Sequence, residues 1–349
     1  MALDDFDGLL NWGKLQAWIA SNDLPGSGPV DKVARITGGS QNNLFMLERG
    51  GERLVLRRPP KHLRANSNKT MLREAQLLAG IAGSDVPHAS LYGVCADESV
   101  IGACFYVMAP LDGFSPSGAL PGEYATNAAW RREMGADMVR AAAALAKVDY
   151  KARGLADYGK ADDWHARQVD RWRSQLEGYR DLEGYPGHAL PNVDKVGRWL
   201  TDNLPGNRQI GIIHGDFQYP NVMYFHDKPK IAGLIDWELS SLGDPLLDLG
   251  WMLSSWSEDN DPAGKDPRVT PWDGFMTRAE LISLYGELTG RDMSEMPWFF
   301  VLACYKLACI LEGSFARACA GQAPKDVGDR LHDYALWLLA KADQLIAKA

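Results

Sequence analysis

The chain has 349 residues, 46% hydrophobic and 23% charged, with a formal net charge of −8. That length is too great for one small core and suits two lobes or domains, in the composition range of an ordinary soluble globular protein. The acidic balance argues against nucleic acid or an anionic membrane as the main partner, so a nucleotide site would have to be a local positive pocket on an acidic body.

Residues 1–29 are expected to form an N-terminal helix and a linker. Leu9, Leu10, Leu15, Trp18 and Ile19 recur at near-helical spacing, which predicts a helix from Asp7 to Ala20. Ser21 to Pro29 carries glycines and prolines and reads as the linker. The opening residues Met1 to Asp7 lack the basic and apolar regions of a signal peptide, so the expectation is a cytoplasmic protein. The five cysteines show no C-x-x-C spacing and read as buried reduced thiols rather than a zinc site. The most apolar run, Leu302 to Leu311, contains Lys306 and falls short of membrane-spanning length.

From Val30 the texture is strand-like. Val33 to Ile36 and Leu44 to Leu47 flank Gly38-Gly39-Ser40-Gln41-Asn42-Asn43. Such a loop can fold over phosphates, because glycine lets the backbone approach closely and aim N–H groups inward, and Ser40 could add a hydroxyl. It is neither G-x-G-x-x-G nor a P-loop, and it also reads as an ordinary hairpin turn. The strand Leu54 to Arg57 ends in a cation, and a helix predicted from Lys69 to Leu78 presents Glu74. A strand cation that grips phosphates and is held by a helix Glu belongs to the kinase pattern; the alternative is two surface residues that never meet. Arg in place of the usual Lys keeps a permanent charge and adds a bidentate fork. Phe105 to Met108 is a further strand, leading into Ala109-Pro110-Leu111-Asp112-Gly113. There the Ala109 C=O and the Leu111 N–H could hold an adenine edge, with Pro110 between them where its missing N–H costs nothing. A plain strand-to-helix turn would look the same.

After Gly113 the composition turns helical. One helix is predicted from Asn127 to Val148 and another from Trp164 to Tyr179. The second carries Trp164, Arg167, Arg171, Trp172 and Arg173, either as arginine stems packed on rings or as the rim of an anion-binding cleft. Asp194 to Asp202 leads into Ile212-Ile213-His214-Gly215-Asp216-Phe217-Gln218-Tyr219-Pro220-Asn221. The strands Val222 to Phe225 and Ile231 to Ile235 form a hairpin that ends in Asp236, bringing Asp216, Asn221 and Asp236 to one edge. Asp216 is spaced to accept a proton from an attacking hydroxyl, and Asn221 and Asp236 to offer oxygen ligands to Mg²⁺, as in kinase-type phosphoryl transfer. A turn that only hydrogen-bonds its own backbone would not need Asp236. Asp244 follows Asp236 too closely for a long activation segment, which favours a small-molecule acceptor over a peptide. Helices predicted from Ala279 to Leu288, Met296 to Ala320 and Asp326 to Ile346 complete the chain.

The ordered set Gly38-Gly39-Ser40, Val55-Leu56-Arg57, Glu74, Met108 to Gly113, His214-Gly215-Asp216 with Asn221, Ile235-Asp236-Trp237-Glu238 and Gly243-Asp244-Pro245 with Asp248 resembles the aminoglycoside phosphotransferase/choline kinase-like family from about Val30 onward. Leu54 to Pro60, Ala166 to Trp172 and Ile310 to Gly313 look most like the branch also found fused to acyl-CoA dehydrogenases, in which Arg at the strand position is usual. The resemblance implies an α+β, protein-kinase-like two-lobed fold. Its parts would be a small antiparallel-sheet N-lobe at 30–108 that binds nucleotide, a hinge at 109–113 and a larger, mostly helical C-lobe at 114–349. It implies ATP (some relatives prefer GTP), Mg²⁺ and transfer of the γ-phosphoryl group to a substrate hydroxyl. By carry-over, Asp216 is the base, Asn221 and Asp236 are metal ligands, and Arg57 with Glu74 is the phosphate clamp. Asp248 would brace the catalytic loop and His214 would support it by hydrogen bonding.

The helix rich in Arg and Trp suits an anionic or partly apolar acceptor, and the branch points towards hydroxyacyl compounds as CoA thioesters. The alternatives are an aminoglycoside, macrolide, sugar or amino-alcohol kinase. In another class stands a nucleotide-binding module without turnover, which would not need the base. No nucleic-acid or membrane partner is expected, and the residues do not specify an oligomeric state.

Overall fold

The computed structural model describes residues 4–36, 42–187, 190–264 and 267–348. Gly38, Gly39 and Ser40, expected at the phosphates, lie outside the described residues. Helix α1 (Trp12–Ser21) is capped by Asn11, whose side chain accepts the Lys14 N–H. It starts later than the predicted Asp7 because Phe6, Asp7 and Gly8 all have positive φ, which a right-handed helix excludes. There follow β1 (Lys32–Ile36), β2 (Asn43–Arg49), β3 (Glu52–Arg58), α2 (Ser67–Ile81), β4 (Leu91–Cys95) and β5 (Phe105–Met108). These five strands form one antiparallel sheet in the order β1-β2-β3-β5-β4. Strand β4 has no counterpart among the predicted elements. Its residues are mostly half-buried and its register shifts between Leu91 and Gly93, so no alternating signal survives.

Alternation assigns the two faces of the sheet. Phe45, Leu47, Leu54, Leu56, Phe105 and Val107 share one apolar core with Leu15 and Ile19 of α1 and with Leu24 and Val30 of the linker. Each large apolar side chain fully buried contributes about 1.5–3 kcal/mol. A one-residue slip would turn that whole set to the other face, so the core fixes the register. The opposite face carries Arg57 and Tyr106, which are register partners on β3 and β5.

Helix α2 lies against that second face but belongs elsewhere. Its Met71, Ala75, Leu77, Leu78 and Ile81 are part of the core of the larger body. Arg73 fastens it there by donating to the Tyr158 and Ser240 carbonyls at 3.0 and 3.2 Å, with its guanidinium 4.8 Å from the Tyr158 ring centre.

The larger body contains β6 (Gly118–Ala119), α3 (Gly122–Thr126), α4 (Ala128–Ala146), α5 (Arg167–Gly178), α6 (Val193–Asp202), β7 (Gly211–Ile213), β8 (Val222–Tyr224), β9 (Ile231–Leu234) and β10 (Ser241–Gly243). It ends with α7 (Leu246–Ser254), β11 (Val269–Thr270), α8 (Arg278–Thr289), α9 (Met296–Cys319) and α10 (Lys325–Ile346). Strands β7 and β10 pair antiparallel, as do β8 and β9, while β6 and β11 are parallel. Helix α5 begins at Arg167 rather than at the predicted Trp164, since Asp163 has φ +48° and Trp164 closes a turn onto the Ala161 carbonyl. Helix α9 is long and apolar enough to cross a membrane, but 78% of its most apolar window is buried inside the protein. It is a core helix, packed on α7 and α10. All five cysteines are free; four are buried, but Cys319 at the end of α9 is only partly so, contrary to expectation.

Residues 109–113 join the sheet to this body by lying on the β8–β9 hairpin. Just beyond them, Phe114 and Tyr224 exchange two backbone hydrogen bonds of 2.9 Å. Glycine permits the approach: a Cβ on Gly113 would sit 2.3 Å from the Tyr224 carbonyl oxygen, and one on Gly233 2.5 Å from Leu111 Cδ1.

Candidate active site

Strand β7 delivers His214, Gly215 and Asp216. Gly215 has φ +82°, and a Cβ there would lie 2.3 Å from the Leu239 carbonyl oxygen, so only glycine fits. Asp248, buried on α7, accepts the backbone N–H groups of His214 at 2.6 Å and Gly215 at 2.9 Å. Burial pushes the Asp248 carboxyl upward, against the pull of His214, these two N–H groups and Lys306. The His214 ring is fully enclosed. Its Nε2–H donates to the Ile235 carbonyl at 2.9 Å, and Nδ1 accepts the Asp216 N–H weakly at 3.4 Å. Both nitrogens are engaged, which ties the loop to the hairpin.

The Asp216 carboxylate is held from three sides. Its Oδ1 accepts from Gln218 Nε2 at 2.5 Å and Trp251 Nε1 at 2.8 Å, and its Oδ2 from Asn221 Nδ2 at 2.6 Å. An ionised carboxylate has about four acceptor positions, so one remains open beside these three donors. Asn221 Nδ2 also reaches the Asp216 carbonyl at 2.9 Å, and its own Oδ1 accepts nothing among the described residues. Trp251 was not singled out from the sequence, although its place one turn after Asp248 on α7 was a usable signal.

Arg57 and Glu74 do meet. Nε of Arg57 lies 2.9 Å from Glu74 Oε2 but off the line of a hydrogen bond, while Nη2 donates to Glu74 Oε1 at 3.4 Å and to Asp236 Oδ1 at 3.0 Å. Tyr106, the register partner of Arg57 on β5, donates its hydroxyl to Glu74 Oε2 at 2.9 Å. Arg57 and Glu74 are buried, but the Asp236 side chain keeps 42% of its exposure. Burial pushes Glu74 above its ordinary value, and Arg57 and Tyr106 only partly offset that. Burial also opposes the charge on Arg57, but Glu74, Tyr106 and Asp236 more than compensate and keep it protonated. Asp236 holds a left-handed φ of +63°, a conformation costly for a non-glycine residue, and Ile235 N–H beside it bonds the Asn221 carbonyl at 3.0 Å. Two residues on, burial and the charges of Asp236 and Glu74 push Glu238 up to about 7.

At residues 109–113 the Ala109 carbonyl and the Leu111 N–H have no hydrogen-bond partner among the described residues, and both residues are half-buried. Asp236 and Asp244 are joined by a short turn at Trp237–Leu239 and then by β10, which folds back on β7 and leaves no peptide platform. Asp244 itself is fully buried, accepting from His165 Nε2 at 2.8 Å and Arg291 Nη2 at 2.8 Å. Trp164, just before α5, and Trp172 on it are core residues. Arg167 donates to the Asp162 and Lys160 carbonyls at 2.9 and 2.7 Å, and Arg173 pairs with Asp194. Arg171 lies 4.8 Å from the Trp172 ring centre and has no carboxylate partner among the described residues. Lys306, the one charge in the apolar run of α9, donates to the Gly215 carbonyl at 2.8 Å. Its isolation in that run was a signal of a buried role that went unused.

Over residues 32–279 the chain matches the model of the phosphotransferase enzyme family. It is 30% identical over 324 residues to acyl-CoA dehydrogenase family member 11 of Rattus norvegicus, covering 88% of this chain and 39% of that protein. It is 28% identical over 305 residues to family member 10 of Mus musculus, covering 85% of this chain. The chain thus spans only 39% and 27% of the length of these relatives. Among solved structures, a Ralstonia eutropha protein provisionally named an aminoglycoside phosphotransferase is 30% identical, with a TM-score of 0.80 over 95% of this chain and 98% of that one. Choline kinase from Cryptosporidium parvum gives a TM-score of 0.60 at 14% identity over 90% of each chain. Aminoglycoside phosphotransferase APH(4)-Ia, in a ternary complex with AMP-PNP and hygromycin B, gives 0.57 at 13% identity, over 96% of this chain and 98% of that one. The last two show the fold alone, which is the two-lobed, protein-kinase-like α+β fold.

Proposed function

This chain belongs to the phosphotransferase enzyme family, and on that premise we propose that it transfers the γ-phosphoryl group of ATP to a hydroxyl of a small anionic acceptor, with Asp216 as the base. The observation that carries the reading is the meeting of Arg57, Glu74 and Asp236 beside an Asp216 held by three donors. A binding module without turnover would need the arginine but not the oriented base. Asn221 Oδ1 and Asp236 are hard oxygen donors, which fits Mg²⁺; that ion commonly takes one or two carboxylates with phosphate oxygens and waters. When bound, it supplies charge neutralisation on the phosphates.

The chain's own groups then divide the work. The Ala109 carbonyl and Leu111 N–H hold the adenine edge. Arg57, steadied by Glu74 and Tyr106, grips the phosphates. Asp216 accepts the acceptor's hydroxyl proton as that oxygen bonds to the γ-phosphorus and the bond to ADP breaks. Arg171, a cation on the Trp172 ring without a carboxylate partner among the described residues, supports an anionic acceptor. The naming of the curated relatives as acyl-CoA dehydrogenase family members supports a hydroxyacyl-CoA or related hydroxy acid. The provisional name of the Ralstonia neighbour favours an aminoglycoside instead.

ATP consumption with Mg²⁺ across hydroxyacyl-CoA thioesters, free hydroxy acids, an aminoglycoside, choline and a hexose separates these acceptors, and equal rates across the panel would remove the anionic preference. Asp216→Asn should retain AMP-PNP affinity and lose about 10²- to 10⁴-fold in turnover, the range of one general base. Turnover equal to wild type would remove Asp216 from that role.

A further inference from the structure

We propose that Lys306 is a positioning residue for phosphoryl transfer, a buried ammonium that fixes the Gly215 carbonyl from behind and so aims the Asp216 carboxylate. Lys306 is 5% exposed, and its Nζ donates to the Gly215 carbonyl at 2.8 Å. Two indole rings face it, Trp251 with its centre at 4.3 Å and Trp172 at 5.4 Å. An ammonium enclosed in this way is costly, and an apolar side chain of the same length would fill the space as well. Packing alone therefore does not account for a lysine here.

What the lysine adds is visible at Gly215. The peptide groups on both sides of that residue are pinned, the N–H by Asp248 at 2.9 Å and the C=O by Lys306 at 2.8 Å. Between them they hold Gly215 at φ +82°, and glycine by itself would not keep that conformation. Releasing the carbonyl lets the peptide leading into Asp216 rotate, and the carboxylate turns with it. A second route runs through Trp251, which lies under the ammonium and donates its Nε1–H to Asp216 Oδ1 at 2.8 Å. The charged groups around Lys306 are Asp248 from α7, Asp216 from the loop and Arg171 from α5. Burial draws its pKa down to about 8, with the two carboxylates pulling the other way, so the ammonium persists at neutral pH.

The proposal rests on the phosphotransferase reading, and the experiment separates the two. Phosphate release from Mg·ATP with water as acceptor needs no knowledge of the natural acceptor, and AMP-PNP affinity by calorimetry reports an intact nucleotide site. In Lys306→Met, kcat should fall roughly tenfold or more, the loss of one charge-assisted hydrogen bond. KM for ATP and AMP-PNP affinity should stay within about twofold. Lys306→Gln should recover part of kcat by donating to the Gly215 carbonyl. Wild-type kcat in a folded Lys306→Met, or no recovery of kcat in Lys306→Gln, would overturn the proposal. So would loss of AMP-PNP affinity in step with kcat, or failure of both variants to fold, either of which makes Lys306 a core residue only. No phosphate release from wild type would instead remove the phosphotransferase reading, and the role of Lys306 with it.

Discussion

Arg291 and Arg57 both meet carboxylates below the surface, yet the two groups are closed to different degrees. Asp244 receives Arg291, His165 and the Leu246 and Gln209 N–H groups, and none of these is shared with a second carboxylate. Burial opposes its charge, but these partners hold it below the ordinary carboxylate range. Arg57 instead divides one fork between buried Glu74 and half-open Asp236, and Glu74 is pushed upward. The same chemistry thus gives shifts of opposite sign. A carboxylate pulled down is one whose charge the fold has fully answered; one pushed up marks a place where part of the answering charge is committed elsewhere. In the first group that difference produces stability, and in the second it leaves an arginine edge for the proposed phosphate contact.

The largest effect expected from this contrast is on stability. Asp244→Asn should cost about 3–5 kcal/mol in denaturant unfolding, because it leaves Arg291 buried without its partner. The difference from wild type should shrink in acid, since the contribution of a carboxylate with a lowered folded value is lost as pH falls through that value. Next comes Arg57→Lys, which keeps the charge but loses the fork. One charged hydrogen bond is worth about 1.5–3 kcal/mol, so kcat/KM for ATP should drop ~10- to 100-fold with little change in melting temperature. The smallest effect is Glu74→Gln. Its unfolding free energy should stay within about 1 kcal/mol of wild type at neutral pH, because it removes a charge whose burial is incompletely answered. Wild type should close any remaining gap as pH falls, since Glu74 with its raised folded value takes up a proton more readily folded than unfolded. ATP turnover should still decline, through the loss of the Arg57 tether. If Glu74→Gln destabilised the protein as much as Asp244→Asn, the contrast between the two groups would collapse.

The parts of this arrangement that were legible in the sequence are those fixed by neighbours in the chain. The loop from His214 to Asn221, the hairpin that ends at Asp236 and the strand-borne Arg57 all depend on short-range spacing, and they stand where the spacing puts them. That Arg57 and Glu74 meet could be inferred only by resemblance, since the residues alone allowed two separate surface charges. Tyr106 was hidden because its role depends on register with β3. Trp251 and Lys306 reach the loop from helices remote in sequence, and periodicity only marks them as core. Strand β4 was lost to a bulge, and the start of α1 to left-handed residues that no apolar spacing reveals.

Helix α2 and Tyr106 of β5 share the core of the large body, while Phe105 and Val107 of β5 and the inner residues of β3 belong to the separate core of the sheet. The contact of Arg57 with Glu74 and Asp236 is therefore a bolt across a seam between two cores, with Tyr106 packed into the larger one. If the sheet swings outward about residues 109–113, Arg57 and Tyr106 travel together and both carboxylates stay behind. Glu74 then loses its cation and its hydroxyl in the same movement. Opening is thus resisted by the stranding of one buried charge, and acid, by neutralising Glu74, lowers that resistance. The seam is stiff in proportion to how fully Glu74 is ionised.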